Sequence, residues 1–159
     1  MDKNALAPGD VARRTRTVDE RDIALFTEIS GDRNPLHYDH ELATASRFGG
    51  IVVQGGVTSA LLNAVVAEDL PGPGSVFLHV DWSFRAPVRP GDTLTAEVEV
   101  LTIRADKPVT TLRTAITNQD QVVVLDGTAV VWRDPVVATA TRPAPSPGSP
   151  RAPHQLPGS

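Results

Sequence analysis

The run from Val57 to Leu70 constrains this chain more than any other stretch. It reads Val-Thr-Ser-Ala-Leu-Leu-Asn-Ala-Val-Val-Ala-Glu-Asp-Leu, apolar or small on nearly every side until Glu68. A helix without a polar stripe has to be enclosed over most of its surface. In a chain of 159 residues the enclosing layer must come from the same domain. The downstream sequence supplies one. Ser75–Ala86, Thr93–Arg104, Val109–Asn118 and Val122–Trp132 are β-rich runs, and in the second of them Thr95, Glu97 and Glu99 alternate with Ala96, Val98 and Val100. That is the period of a sheet with one wet and one dry face. Turn residues separate the runs at Arg89-Pro90-Gly91-Asp92, Asp106-Lys107-Pro108 and Asn118-Gln119-Asp120. Short turns between consecutive runs imply antiparallel pairing. The expectation is an α+β domain in which a curved antiparallel sheet wraps a central buried helix.

Upstream, Val11 to Thr17 reads as a first strand. Thr17-Val18-Asp19-Glu20 has the form of a capping box, so a helix is predicted to begin there. Ile23, Phe26 and Ile29 keep helical spacing, and Gly31 supplies a stop. Pro35 opens a constrained loop, and Glu41–Arg47 fits a short helix capped by Asp39. These pieces place residues 1–134 in one unit, and a hydrophobic fraction of 40% is enough to fill its core. Residues 135–159 stand apart. Half of the 14 prolines lie there among Ala, Ser, Gly and Arg, without an apolar period. Such a segment buries too little to offset its ordering entropy and reads as a disordered tail.

Composition narrows the function classes. With no cysteine, disulfides, thiolate nucleophiles and thiolate metal sites are excluded. A net charge of −4 without a basic block gives no reason to expect a nucleic-acid or membrane partner. The first ten residues lack the basic start and apolar centre of a secretory signal, and no apolar run reaches membrane-spanning length. A cytoplasmic protein is the expectation.

Chemistry concentrates in Ser30-Gly31-Asp32-Arg33-Asn34-Pro35-Leu36-His37. Gly31 closes a helix, and Asn34-Pro35 forces a tight loop that can bring the Asp32 carboxylate and the His37 imidazole over one small volume. A carboxylate beside an imidazole can take a proton from water and return one. The bland alternative is that Asp32 caps the loop and His37 is a satisfied core residue. The same stretch, with Phe26 before it and Ala43 after it, resembles the signature of MaoC-like (R)-specific enoyl-CoA hydratases, and is similar to the hydratase modules of peroxisomal multifunctional enzymes. Pro71-Gly72-Pro73-Gly74-Ser75 and the stretch from Ser83 to Asp92 look like later parts of the same family, so the resemblance covers roughly residues 8–134.

The resemblance implies a hot-dog fold, a homodimer and an acyl-CoA or acyl-carrier-protein thioester as substrate, with no cofactor. It implies that Asp32 and His37 hold the water added across a C2–C3 double bond, with Asp32 as the water-activating base and His37 as its partner. Asn34 in the loop is a further substrate-binding candidate. Gln54-Gly55-Gly56 precedes the buried helix, where free N–H groups attract negative charge. In the family an oxyanion donor is the glycine of a His-Gly pair, matched here by Gly55, while the His is replaced by Gln54. Such a donor supplies about 3 kcal/mol. Glycines at 55 and 56 serve equally well to permit a tight turn. Gln54, Gly56 and Asn63 are substrate-binding candidates too, Asn63 because a polar group in an apolar helix needs a partner. Ser59 shares that helix.

Weaker candidates complete the set. His40, three residues after His37, has metal-like spacing, but no cluster completes a site and no metal is expected. His79 reads as structural. Arg85 and Arg89 are candidates for the carrier on charge alone. Two other functions stay in view: a hot-dog thioesterase, which generally lacks the Gly-Asp-x-Asn-Pro-x-His loop, and a non-catalytic acyl-binding subunit, which has no need to keep Asp32 and His37.

Overall fold

The computed structural model describes residues 5–140. The chain runs β1 (Val11–Thr17), α1 (Glu20–Ser30), a 3₁₀ turn (Pro35–His37), α2 (His40–Ala45), α3 (Gly55–Ala64) continued by a π-helical turn (Val65–Asp69), β2 (Ser75–Phe84), β3 (Thr93–Ile103), β4 (Val109–Thr117), β5 (Val123–Arg133) and α4 (Pro135–Ala140). The expected tail therefore opens with a short helix, and its remainder, 141–159, lies outside the described residues.

All five strands form one antiparallel sheet in the order β1-β3-β4-β5-β2. Its dry face packs on α3, giving the hot-dog arrangement of a sheet around a helix. Val57, Leu61, Leu62, Val65 and Val66 from the helical run meet Leu94, Ala96, Val98 and Val100 of β3 and Leu112, Ile116, Val124, Leu125 and Val131 of the neighbouring strands. The alternation read from β3 holds: Ala96, Val98 and Val100 are buried, and Thr95, Glu97 and Glu99 face outward.

Two local expectations shift. The capping box of α1 is formed by Asp19 and Asp22, not by Thr17 and Glu20. The Asp19 carboxylate accepts from the Arg21 and Asp22 amides, while Asp22 accepts from the Asp19 amide. Thr17 cannot serve because it stays in β1, paired with Thr93 in backbone register and through the two hydroxyls at 2.8 Å. The second shift concerns β2 and β3, which are consecutive yet not neighbours. Residues 85–92 form a crossover in place of a hairpin. It is tied successively to β5 (Arg85 N–H to Val124 O, 2.8 Å), to the segment before α3 (Val53 N–H to Val88 O, 2.8 Å) and to the end of β1 (Gly91 N–H to Val18 O, 2.7 Å). The chain thus walks across the end of the sheet, and Pro87 and Pro90 suit a path that offers few donors.

Candidate active site

The site is built where α1 stops. Gly31 takes the left-handed conformation (φ 76°), and its amide donates to Thr27 O at 2.8 Å. A side chain there would be strained, so glycine ends the helix and turns the chain. The next residues bond locally. Asp32 N–H donates to Ser30 Oγ, Asn34 N–H to Asp32 Oδ1 at 3.0 Å, and Leu36 N–H to Asn34 Oδ1 at 3.1 Å. The last bond caps the Pro35–His37 turn. Asn34, expected as a substrate contact, therefore spends its oxygen on shaping the loop.

The loop brings the expected pair together: His37 Nε2 lies 3.4 Å from Asp32 Oδ2. The imidazole is nearly buried and the carboxylate about one-third exposed, at 10% and 35% of their side-chain areas. On its far side, His37 Nδ1 lies 2.6 Å from Val52 O. A carbonyl only accepts, so Nδ1 carries the proton and donates. In the neutral ring Nε2 is then a bare acceptor facing a second acceptor, the carboxylate. A water molecule, with two protons to give, satisfies both at once. Such a pair can hold one water and receive a proton from it.

A cavity of about 380 Å³ adjoins His37, lined by His37, Gly55, Thr58, Phe84, Val88 and Val124 among others; Asp32 is not among its lining residues and reaches it only through His37. Gly55 opens α3, whose N-cap, Gln54, makes no side-chain capping bond. The first internal bonds of the helix are those of the Val57 and Thr58 amides to Gln54 O, and the Gly55 and Gly56 amides precede them. A helix start with uncapped amides beside His37 suits a developing negative charge. Neither glycine has positive φ. Their smallness serves close approach instead: a Cβ on Gly55 would lie 2.9 Å from Phe84 Cε1, and one on Gly56 would overlap the Phe26 ring.

Other candidates fall elsewhere. Gln54 is buried, but its amide donates to Ile23 O at 3.1 Å and Thr27 Oγ1 at 3.3 Å, toward α1 and away from the cavity. Asn63 lies eight residues beyond Gly55, about 12 Å along the helix. It is exposed, so water serves its polar group and no buried partner is needed. Ser59 donates to Gly56 O. Asp39 caps α2, and His40 and His79 are exposed. Among the described residues no cluster of three His, Asp or Glu side chains could hold a metal. Arg89 is spent internally: its guanidinium donates to the carbonyls of Phe48, Gly50 and Ile51. Arg85 lines the cavity but is paired with Asp126 at 2.9 Å. Sequence reading missed Arg47, which also lines the cavity and stacks over Phe48, and it missed Thr27 and Tyr38 beneath the loop. A larger crevice of about 540 Å³, between β1, α1 and α3, contains neither member of the pair.

Residues 4–122 match the model of the MaoC like domain. An (R)-specific enoyl-CoA hydratase of Aeromonas caviae is 38% identical over 131 residues, covering 82% of this chain and 98% of that protein. A 3-hydroxybutyryl-CoA dehydratase of Methylorubrum extorquens is 38% identical over 116 residues, 73% of each chain. The solved structure of an (R)-hydratase from A. caviae involved in PHA biosynthesis superposes with a TM-score of 0.78 at 38% identity, over 82% of this chain and 98% of that one. Sheet, loop and sequence agree, and the chain belongs to the MaoC-like domain family.

Proposed function

We propose that this protein catalyses the reversible hydration of trans-2-enoyl thioesters to (R)-3-hydroxyacyl thioesters, with coenzyme A or an acyl carrier protein as the carrier. The observation that carries this reading is the pinned tautomer of His37. Because Nδ1 donates to Val52 O, Nε2 and Asp32 Oδ2 form a two-acceptor grip on one water. Asp32 takes a proton from that water as its oxygen bonds to C3. The electron pair of the C2–C3 double bond moves toward the thioester carbonyl, whose oxygen the Gly55 amide stabilises. C2 then takes the proton that the pair received from the water, so Asp32 and His37 return to their starting states and one water has been added across the double bond. His37 shares and orients the proton throughout. No cofactor enters. The names of the A. caviae and M. extorquens relatives describe the two directions of this reaction, and substrate supply decides between them.

The working form is a homodimer in a cytoplasmic setting. What supports the dimer is the β2 edge of the sheet, which presents Val76, Leu78, Val80 and Phe84 to solvent. No helix among the described residues is long and apolar enough to cross a membrane.

The test follows loss of enoyl thioester absorbance with a short trans-2-enoyl-CoA. Wild type should hydrate it, and Asp32→Asn and His37→Ala should each lose about 10²- to 10⁴-fold in kcat, the range for a positioned acid–base group. Full activity in either variant would end the assignment of the pair. Release of free thiol from a saturated acyl-CoA, with no hydration, would replace the reaction by thioester hydrolysis.

A further inference from the structure

Beneath the Asp32 loop lies a polar cluster that the reaction does not touch. Thr27, on the buried face of α1, places Oγ1 2.8 Å from Asp32 O and in contact with Tyr38 Oη, while Gln54 Nε2 reaches the same oxygen at 3.3 Å. The bonds balance. A threonine hydroxyl has one proton and two lone pairs. Two acceptor-only carbonyls lie in its reach, Asp32 O at 2.8 Å and Ile23 O at 3.1 Å; the proton goes to the nearer, Asp32 O, and the oxygen accepts from Tyr38 O–H and from Gln54 N–H. The second Gln54 N–H goes to Ile23 O at 3.1 Å. Turning the Gln54 amide over would set oxygen against the Ile23 carbonyl, so the donating orientation is fixed.

The geometry points to Thr27, with Gln54 and Tyr38, as a positioning hub that holds the Asp32 carboxylate in register with the α3 helix start. Each arm of the hub reaches a different part of the site. Asp32 O belongs to the residue that takes the proton. Tyr38 directly follows His37. Gln54 directly precedes Gly55, whose amide faces the developing oxyanion. One hydroxyl therefore ties the base, the imidazole segment and the anion-stabilising amide together. Two of its members are nearly sealed, Thr27 5% and Gln54 2% exposed, and Tyr38, at 44%, closes its outer side. In such surroundings an unmade bond is costly and the arrangement stays stiff. Asp32 has no comparable anchor: its other bonds, to Ser30 Oγ and from the Asn34 amide, lie within the same exposed loop. The hub acts through Asp32 and touches no substrate atom. The inference rests on the hydration reading above.

The experiment measures kcat, KM and thermal unfolding with a short trans-2-enoyl-CoA for Thr27→Val, Thr27→Ser and Tyr38→Phe, with Thr27→Val also placed in an Asp32→Asn background. A misplacement of about 1 Å at a reacting group costs up to about 100-fold. Thr27→Val should therefore lose 10- to 100-fold in kcat with KM within about twofold. Thr27→Ser should recover most of that loss, and Tyr38→Phe, whose ring is half exposed and tolerant, should lose severalfold. In the Asp32→Asn background the valine substitution should cost almost nothing further, because the group it positions is already gone. Full kcat in folded Thr27→Val, failure of serine to rescue, or additive losses in the double variant would each overturn the hub. If Thr27→Val does not fold, Tyr38→Phe decides, and unchanged kcat there has the same meaning. An inactive wild type would instead sink the hydration reading, so the two failures are separable.

Discussion

A methyl group on residue 56 would overlap the ring of Phe26, which packs from α1 onto the start of α3. The clash is with a half-buried aromatic ring, which cannot swing aside as the tip of a long side chain would. Overpacking of this kind costs about 1–3 kcal/mol. Gly56→Ala is therefore expected to lower the urea midpoint by a corresponding amount at unchanged m-value, and an unshifted midpoint would show that the Phe26 ring yields freely. At this scale the sequence was informative where a residue's neighbours in the chain are its neighbours in space. Asp32 and His37 stand five positions apart on one loop, so their convergence could be read from Gly31, Asn34 and Pro35. Gln54 could not be read that way. Its partners, Ile23 and Thr27, are 31 and 27 residues distant, and only the packing of α1 against α3 aims its amide at them and away from the cavity. Asn63 failed for the opposite reason: an apolar run marked the helix as enclosed, yet one flank of it remains open.

Elements were legible from period and punctuation, but their junctions were not. β1 was found to the residue, and the other strands within a residue or two, because alternation and turn residues are local signals. The crossover between β2 and β3 looked like a hairpin turn, since the turn residues do not record which strand is the neighbour. That crossover has a consequence for the site. Arg89 lies on it and holds the carbonyls of Phe48, Gly50 and Ile51, the segment that ends at Val52, whose carbonyl fixes the His37 tautomer. Charge-assisted bonds of this kind are worth roughly 1.5–3 kcal/mol each in net terms. Arg89→Met keeps much of the side-chain volume and removes the donors. It should destabilise the protein by at least about 2 kcal/mol and speed amide exchange at Val52 and Val53 more than at β3 and β4. Exchange that rises evenly over the whole chain would mean that Arg89 supports the fold at large and does not act on the segment that orients the histidine.

Among the described residues the sheet has two edges, β1 and β2, and they are treated differently. β1 carries Arg13, Arg14 and Arg16, which pair with Glu97, Asp69 and Asp22. Charges along an edge discourage another strand from adding there. β2 has one charged residue, Asp81, in place of three arginines. Val76, Leu78 and Phe84 are each more than half exposed, and a bulge between Phe77 and His79 interrupts the pairing with β5. An open edge with apolar side chains invites a partner. A second copy of the same edge is the simplest complement, because antiparallel pairing about a twofold axis brings equivalent residues together. Like charges set opposite one another across such a pair repel. The double variant Leu78→Lys, Val80→Lys should then sediment as a monomer under conditions where wild type sediments as a dimer, while its circular dichroism keeps the signature of the folded sheet. Phe84 sits at the end of this strand and packs against Gly55 at the mouth of the helix. The monomeric variant is therefore expected to lose enoyl-CoA hydration as well as its partner, which a purely peripheral interface would not require. A wild-type monomer that hydrates substrate at full rate would show that the β2 edge stays open in the working enzyme.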